Sequence, residues 1–174
     1  MRQLSTLDAQ FLGVESSRTF SHVSVLGIYD PSTAPGGTLT VRDLRRRVAE
    51  RLELLPPFRW RLVEVPLGLD LPYWIEDPDF DLDFHIRETA VPPPGDDPQI
   101  AETVARIASR PLDRSRPLWE LYLVHGLSGG RVDLLTKIHI TVLSYRDQVE
   151  DTWSMMDGIH AALDELEKAV RAGE

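Results

Sequence analysis

The apolar positions change their spacing several times along the chain, and each change marks an element. "HVSVLGIYD" (22–30) is dense in β-branched and apolar residues and stops at Asp30-Pro31, which predicts a strand. Residues 40–55 place Val41, Leu44, Val48, Leu52 and Leu55 three and four positions apart. That period gathers them on one side of a helix, with Thr40 as its cap and Pro56-Pro57 as its stop. Residues 98–109 repeat the pattern with Ile100, Val104 and Ile107, Asp97 serving as cap and Pro98 as the first helical residue. Ser5 followed by Asp8 predicts a short helix over 6–13, while 58–65 and 72–77 read as short strands.

Alternation is cleanest in "DFDLDFHIRET" (79–89). Phe80, Leu82, Phe84 and Ile86 fall on one face, and Asp79, Asp81, Asp83, His85 and Arg87 on the other, so His85 is expected on an acidic, solvated strand face. "PLWELYLVHGLSGGRVDLLTKIHITVLSY" holds two strand-like runs around a glycine-rich turn, a hairpin pattern whose second strand continues past residue 140. From 148 to 171, Val149, Trp153, Met156, Ile159, Leu163, Leu166 and Val170 form the apolar stripe of a terminal helix. Acids stand at its start and Lys168 and Arg171 near its end, as a helix dipole favours. The elements together predict an α+β fold, a single domain with a mixed, mostly antiparallel sheet and about three substantial helices.

Composition narrows the partners. A net charge of −9 over 174 residues repels a phosphate backbone, which excludes nucleic acid as a partner. The chain has no cysteine, so disulfides and thiolate nucleophiles are excluded. The opening residues lack an apolar leader and carry Asp8 and Glu15, and no run approaches the roughly 18 apolar residues of a membrane-spanning helix. A cytoplasmic protein is expected.

Candidate chemistry is sparse. "GLSGG" (126–130) fits a serine-hydrolase elbow, but that elbow requires a helix after the turn, and "RVDLLTKIH" alternates like a strand. The five histidines, His22, His85, His125, His139 and His160, include no H-x-x-x-H or H-E-x-x-H pair, so no metal site is expected. No nucleotide-binding glycine motif is present, and Trp119 and Trp153 read as core. His139 stands out by position, at the end of the strand that follows the hairpin, although a lone histidine on a strand is more often structural than catalytic.

Four stretches carry a resemblance. "LSTLDAQFLGVES" (4–16), "HVSVLGIYD" (22–30), the segment from Leu55 to Gly95 and "RPLDRSRPLWELYLVHGLSGGRVDLLTKIH" (110–139) resemble, in order, the amino-terminal half of the bacterial wax ester synthase/diacylglycerol acyltransferase family. The resemblance implies half of a CoA-dependent acyltransferase fold, similar to chloramphenicol acetyltransferase, in which two such halves enclose the site. It implies acyl-CoA as cosubstrate with no tightly bound cofactor, and long-chain alcohols or diacylglycerol as acceptors, in triacylglycerol synthesis. It also implies a location near membranes or lipid inclusions. The family motif is H-H-x-x-x-D-G, whose second histidine is the general base that deprotonates the attacking hydroxyl.

With His139 in the first histidine position, Ile140 occupies the second, Ser144 the aspartate and Tyr145 the glycine. The motif stops after its first letter. "ITVLSYRD" (140–147) instead resembles the strand near the family's carboxyl terminus, and 149–170 resembles its terminal helix, with a second, smaller omission near 147–149. The expected organisation is 1–139 as the acyltransferase amino-terminal half, joined to 140–174 as the carboxyl-terminal strand and helix. His139 is the one catalytic-motif residue retained. Isoleucine cannot accept a proton, and loss of a general base costs on the order of 10²- to 10⁴-fold in rate. Little or no acyl transfer by this chain alone is expected. The rival reading is a non-catalytic acyl-binding or regulatory module that self-associates or pairs with a full-length relative.

Overall fold

The computed structural model describes residues 1–143, which form one compact unit. The expected terminal helix over 148–171, together with Ser144, Tyr145, Trp153 and His160, lies outside the described residues.

Two sheets organise the unit. The larger has strand order β2 (His22–Tyr29), β7 (Val132–His139), β6 (Trp119–His125), β5 (Ile86–Ala90); its neighbours are antiparallel except for the parallel pair β5 and β6. The smaller is antiparallel, in the order β1 (Arg2–Gln3), β4 (Tyr73–Glu76), β3 (Trp60–Val63). The α+β class holds, with the strands divided between two sheets. "GLSGG" is a hairpin turn joining β6 to β7, as its context predicts.

Strand alternation splits the core. Leu121 and Leu123 of β6 and Val132 of β7 pack with Leu44 of helix α2 (Val41–Ala49) on one face of the larger sheet. Tyr122, Val124 and Leu135 pack with Ile100 and Ile107 of helix α4 (Asp97–Ala108) on the other. A third cluster joins Leu12 of helix α1 (Thr6–Gly13) to Leu62, Trp74 and Leu118. These separate clusters follow from the period-two geometry of a strand buried on both sides.

Local chemistry explains the helix starts. Ser5 accepts the Asp8 amide and Thr40 accepts the Asp43 amide, each satisfying a donor that a helix start leaves free. α4 begins one residue earlier than expected: Asp96, not Asp97, is the cap, in a reciprocal box with Gln99. α2 ends at Ala49 rather than running to Leu55, and short 3₁₀ turns at Leu52–Leu54 and Pro56–Arg59 carry the chain onward. The two prolines explain the change, since they lack the amides a continuing helix needs and bias Leu55 away from helical geometry.

Two expectations are overturned. Residues 79–89 do not form one alternating strand. Leu82–His85 is a single helical turn (α3), and only Ile86–Ala90 is strand. The aspartates are turn-makers: Asp77 accepts the Asp79 amide and Asp81 the Asp83 amide, in competition with ladder bonding. His85 is therefore fully buried, not solvated among acids. It stacks between Phe80 and Trp119 at 5.2 and 4.5 Å and pairs through Nδ1 with the Trp119 carbonyl at 2.7 Å. The strand pattern through residue 140 also fails. β7 stops at His139, and Ile140–Leu143 is a helical turn (α5).

Candidate functional site

The site lies where β7 ends. The β2–β7 register sets His22 opposite His139, and the Ile140 amide donates to the Ser21 carbonyl at 2.9 Å just beyond the last pair. His139 is buried, and both ring nitrogens are engaged. Nδ1 accepts the Thr141 amide at 3.2 Å and lies 2.8 Å from the Thr141 hydroxyl. An accepting Nδ1 leaves the ring proton on Nε2, which faces Glu15 Oε1 at 3.2 Å.

Glu15 joins three parts of the chain. Oε1 also accepts the Ser21 amide at 2.6 Å, while Oε2 receives the Arg114 guanidinium at 2.7 Å. Arg114 in turn donates to the Leu12 carbonyl at the end of α1, at 2.9 Å. Burial works to raise the Glu15 carboxyl, but the Ser21 amide, Arg114 and His139 outweigh it and hold the group below the usual carboxylate range. Burial pushes the His139 imidazole below its ordinary value, against the opposing pull of Glu15. The ring is neutral at pH 7.

The neighbouring polar side chains serve the backbone. His22 Nε2 donates to the Ala108 carbonyl at 2.8 Å, and Lys137 Nζ donates to the Ile107 carbonyl at 3.2 Å and to that of Arg110. Together they cover the carbonyls at the carboxyl end of α4, where a cation is favoured by the helix dipole. Lys137 is buried, which lowers its pKa against the pull of Glu120, its partner across β6.

This constellation positions more than it reacts. A general base must offer a free lone pair to an incoming hydroxyl. The Nδ1 lone pair of His139 is taken by Thr141, and its Nε2 is oriented by Glu15. Ile140, next in the chain, carries an aliphatic side chain. Of the residues gathered here only His139 was singled out in the sequence as catalytic. Glu15 and Arg114 are 124 and 25 positions away from it, and no local spacing announces either. Their sole sequence signal is membership of the two stretches that carry the family resemblance, "LGVES" and "LDRSRPLW".

His85 and His125 lie elsewhere, and no group of three or more metal-ligating side chains exists among the described residues. No helix among them is long and apolar enough to cross a membrane.

The fold is of the chloramphenicol acetyltransferase-like type that condensation domains share. It superposes on a starter condensation domain of rhizomide synthetase, described in complex with C8-CoA, with a TM-score of 0.58 at 13% identity, covering 80% of this chain and 31% of that one. The chain belongs, more narrowly, to the wax ester synthase/diacylglycerol acyltransferase family: residues 4–143 match that family's catalytic domain. It is similar to the wax ester synthase/diacylglycerol acyltransferase of Marinobacter aquaeolei VT8, with a TM-score of 0.68 and 33% identity over 80% of this chain and 34% of that one. It is 44% identical over 142 residues to a probable diacylglycerol O-acyltransferase of Mycobacterium tuberculosis, covering 82% of this chain and 51% of the relative. It is 43% identical to a second, putative one from that species, covering 29% of its length. The chain thus spans about half or less of the relatives it matches.

Proposed function

We propose that this chain is a shortened member of the family that performs little or no acyl transfer by itself. The observation that carries the reading is the pairing of Ile140, in the position of the family's general base, with an adjacent His139 whose nitrogens are both engaged. By family membership the chemistry would be transfer of an acyl group from acyl-CoA to a long-chain alcohol or diacylglycerol, at or near a membrane or lipid inclusion in the cytoplasm. His139 is the retained motif residue, and its geometry supports a positioning role that ties the end of β7 to the loop carrying Glu15. Residues 1–139 correspond in this reading to the amino-terminal half, with 140–174 contributed by the family's carboxyl-terminal end.

Incubation of the 174-residue chain with radiolabelled acyl-CoA and either hexadecanol or diacylglycerol tests the proposal. No ester above the no-protein control is expected. Turnover that His139→Ala abolishes would overturn it.

A second reading, a non-catalytic acyl-binding or regulatory module, has its own support in two surfaces. β2 has no strand on its outer side among the described residues, and Val25 and Ile28 on it are 64% and 47% exposed, which suits self-association or pairing with a relative. An apolar cleft beside α2 suits an acyl chain. Saturable acyl binding without turnover is the outcome this reading expects.

A further inference from the structure

The apolar cleft lies on the sheet face that α2 covers. Trp119 and Leu121 of β6 and Thr136 of β7 form its floor. Thr136 stands three positions before His139 on the same strand, so alternation aims the two side chains to opposite faces. Whatever occupies the cleft is separated by the sheet from the His139 constellation, which makes the cleft a distinct site.

Its walls select hydrocarbon. Leu52 and Phe58 stand over the floor, and the indole Nε1 of Trp119 is already satisfied by the Phe58 carbonyl at 2.8 Å. The volume is about 300 Å³. At roughly 30 Å³ for each methylene-sized group, about ten carbons of one linear chain fill it, and a longer chain extends past its open side.

The mouth selects charge. Arg47 and Arg51 line it. Arg51 is held by the Arg47 carbonyl at 3.1 Å and by Glu50 at 3.7 Å. The Arg47 guanidinium has no hydrogen bond or ion pair among the described residues, and the side chain is exposed. A guanidinium with its fork free is suited to bidentate capture of a carboxylate or phosphate, and here it stands out on a chain of net charge −9.

We infer that the cleft between α2 and the larger sheet binds a single acyl chain of ten or more carbons ending in an anionic head, the chain lying on Trp119 and Leu121 and the head meeting Arg47. The inference deepens the acyl-binding reading and rests on it. A carboxylate and a phosphate head share this chemistry, and the ligands tested below separate them.

Titration calorimetry of the full chain with dodecanoate, dodecyl phosphate and dodecanol reads it out. Saturable one-to-one binding of at least one anionic ligand is expected, and the tighter of the two identifies the head. Arg47→Glu should weaken that binding at least tenfold while changing dodecanol binding less than twofold. Leu55→Glu, at the partly exposed apolar rim, should weaken all three ligands. Both positions are exposed, and circular dichroism checks that each variant folds. If dodecanoate or dodecyl phosphate binds but neither variant weakens it, the cleft assignment is wrong while acyl binding survives. If none of the three ligands binds, both fall together.

Discussion

Buried ionisable residues set how this protein responds to pH. His22, His85 and His139 all have pKa values pushed below the ordinary histidine range, in each case chiefly by burial. The unfolded chain takes up protons through about pH 6.5, while the folded imidazoles stay neutral. The unfolded state then binds more protons, so stability present at neutral pH is lost as pH falls below about 6.5. Asp133 acts in the opposite sense. Its carboxyl is buried with no hydrogen-bond partner among the described residues, and burial raises its pKa against the weaker pull of Arg131. Its cost is absent below the unfolded value of about 3.9 and grows as pH rises toward the folded value. Asp133→Asn should therefore stabilise the protein at pH 7.5 by about 1 kcal/mol or more, with the gain shrinking toward pH 4. In that background the urea midpoint should drop more steeply toward pH 4 than in the parent, because the relief that protonation of Asp133 brings is gone. A midpoint that rises on acidification in the Asn variant would show that the histidines are not held neutral.

Among elements, the hairpin turn shows how a glycine motif can serve packing instead of chemistry. Gly95 and Gly126 both have positive φ, and a Cβ on Gly95 would lie 1.9 Å from the Gly126 carbonyl oxygen. The loop before α4 and the β6–β7 turn thus meet backbone to backbone, closed by the Ser128 amide on the Gly95 carbonyl at 2.9 Å. Gly129, in the same turn, has positive φ but open space around it. Gly129→Ala should cost about 1 kcal/mol, the left-handed penalty alone, whereas Gly95→Ala should cost about 3 kcal/mol because the loops must separate. Equal losses in a denaturant titration would show that the close approach is not maintained in solution. The same scale explains the segment before β5. Alternation correctly set Phe80 and Ile86 inside, but it could not register that Asp77 and Asp81 would bind the backbone and turn the chain, which carries His85 into the core.

For the molecule as a whole, the larger sheet separates two regions: a polar one around His139 that positions the backbone, and an apolar one under α2 that suits a ligand. The family's activity is proposed to need a base beside His139 and a second half to enclose the site. Restoring the base alone should therefore be insufficient. Ile140→His should yield no transferase activity above the parent in the acyl-CoA assay, since a correctly placed imidazole without a bound, aligned acceptor forfeits most of the rate. Activity raised tenfold or more by that single change would show that one half supplies enough positioning.

The sequence by itself determined the elements governed by local rules: the starts of α1 and α2, the β6–β7 hairpin, the apolar faces of α2 and α4, and the family itself. Each depends on residues a few positions apart, or on long stretches read in order. Only the tertiary structure decided the surroundings of His139 and His85 and where the cleft lies. Those depend on Glu15 meeting His139, on Trp119 stacking on His85, and on which side of β7 each residue faces. Contacts between distant segments are fixed by packing in three dimensions, and nothing in the spacing along the chain encodes them one at a time.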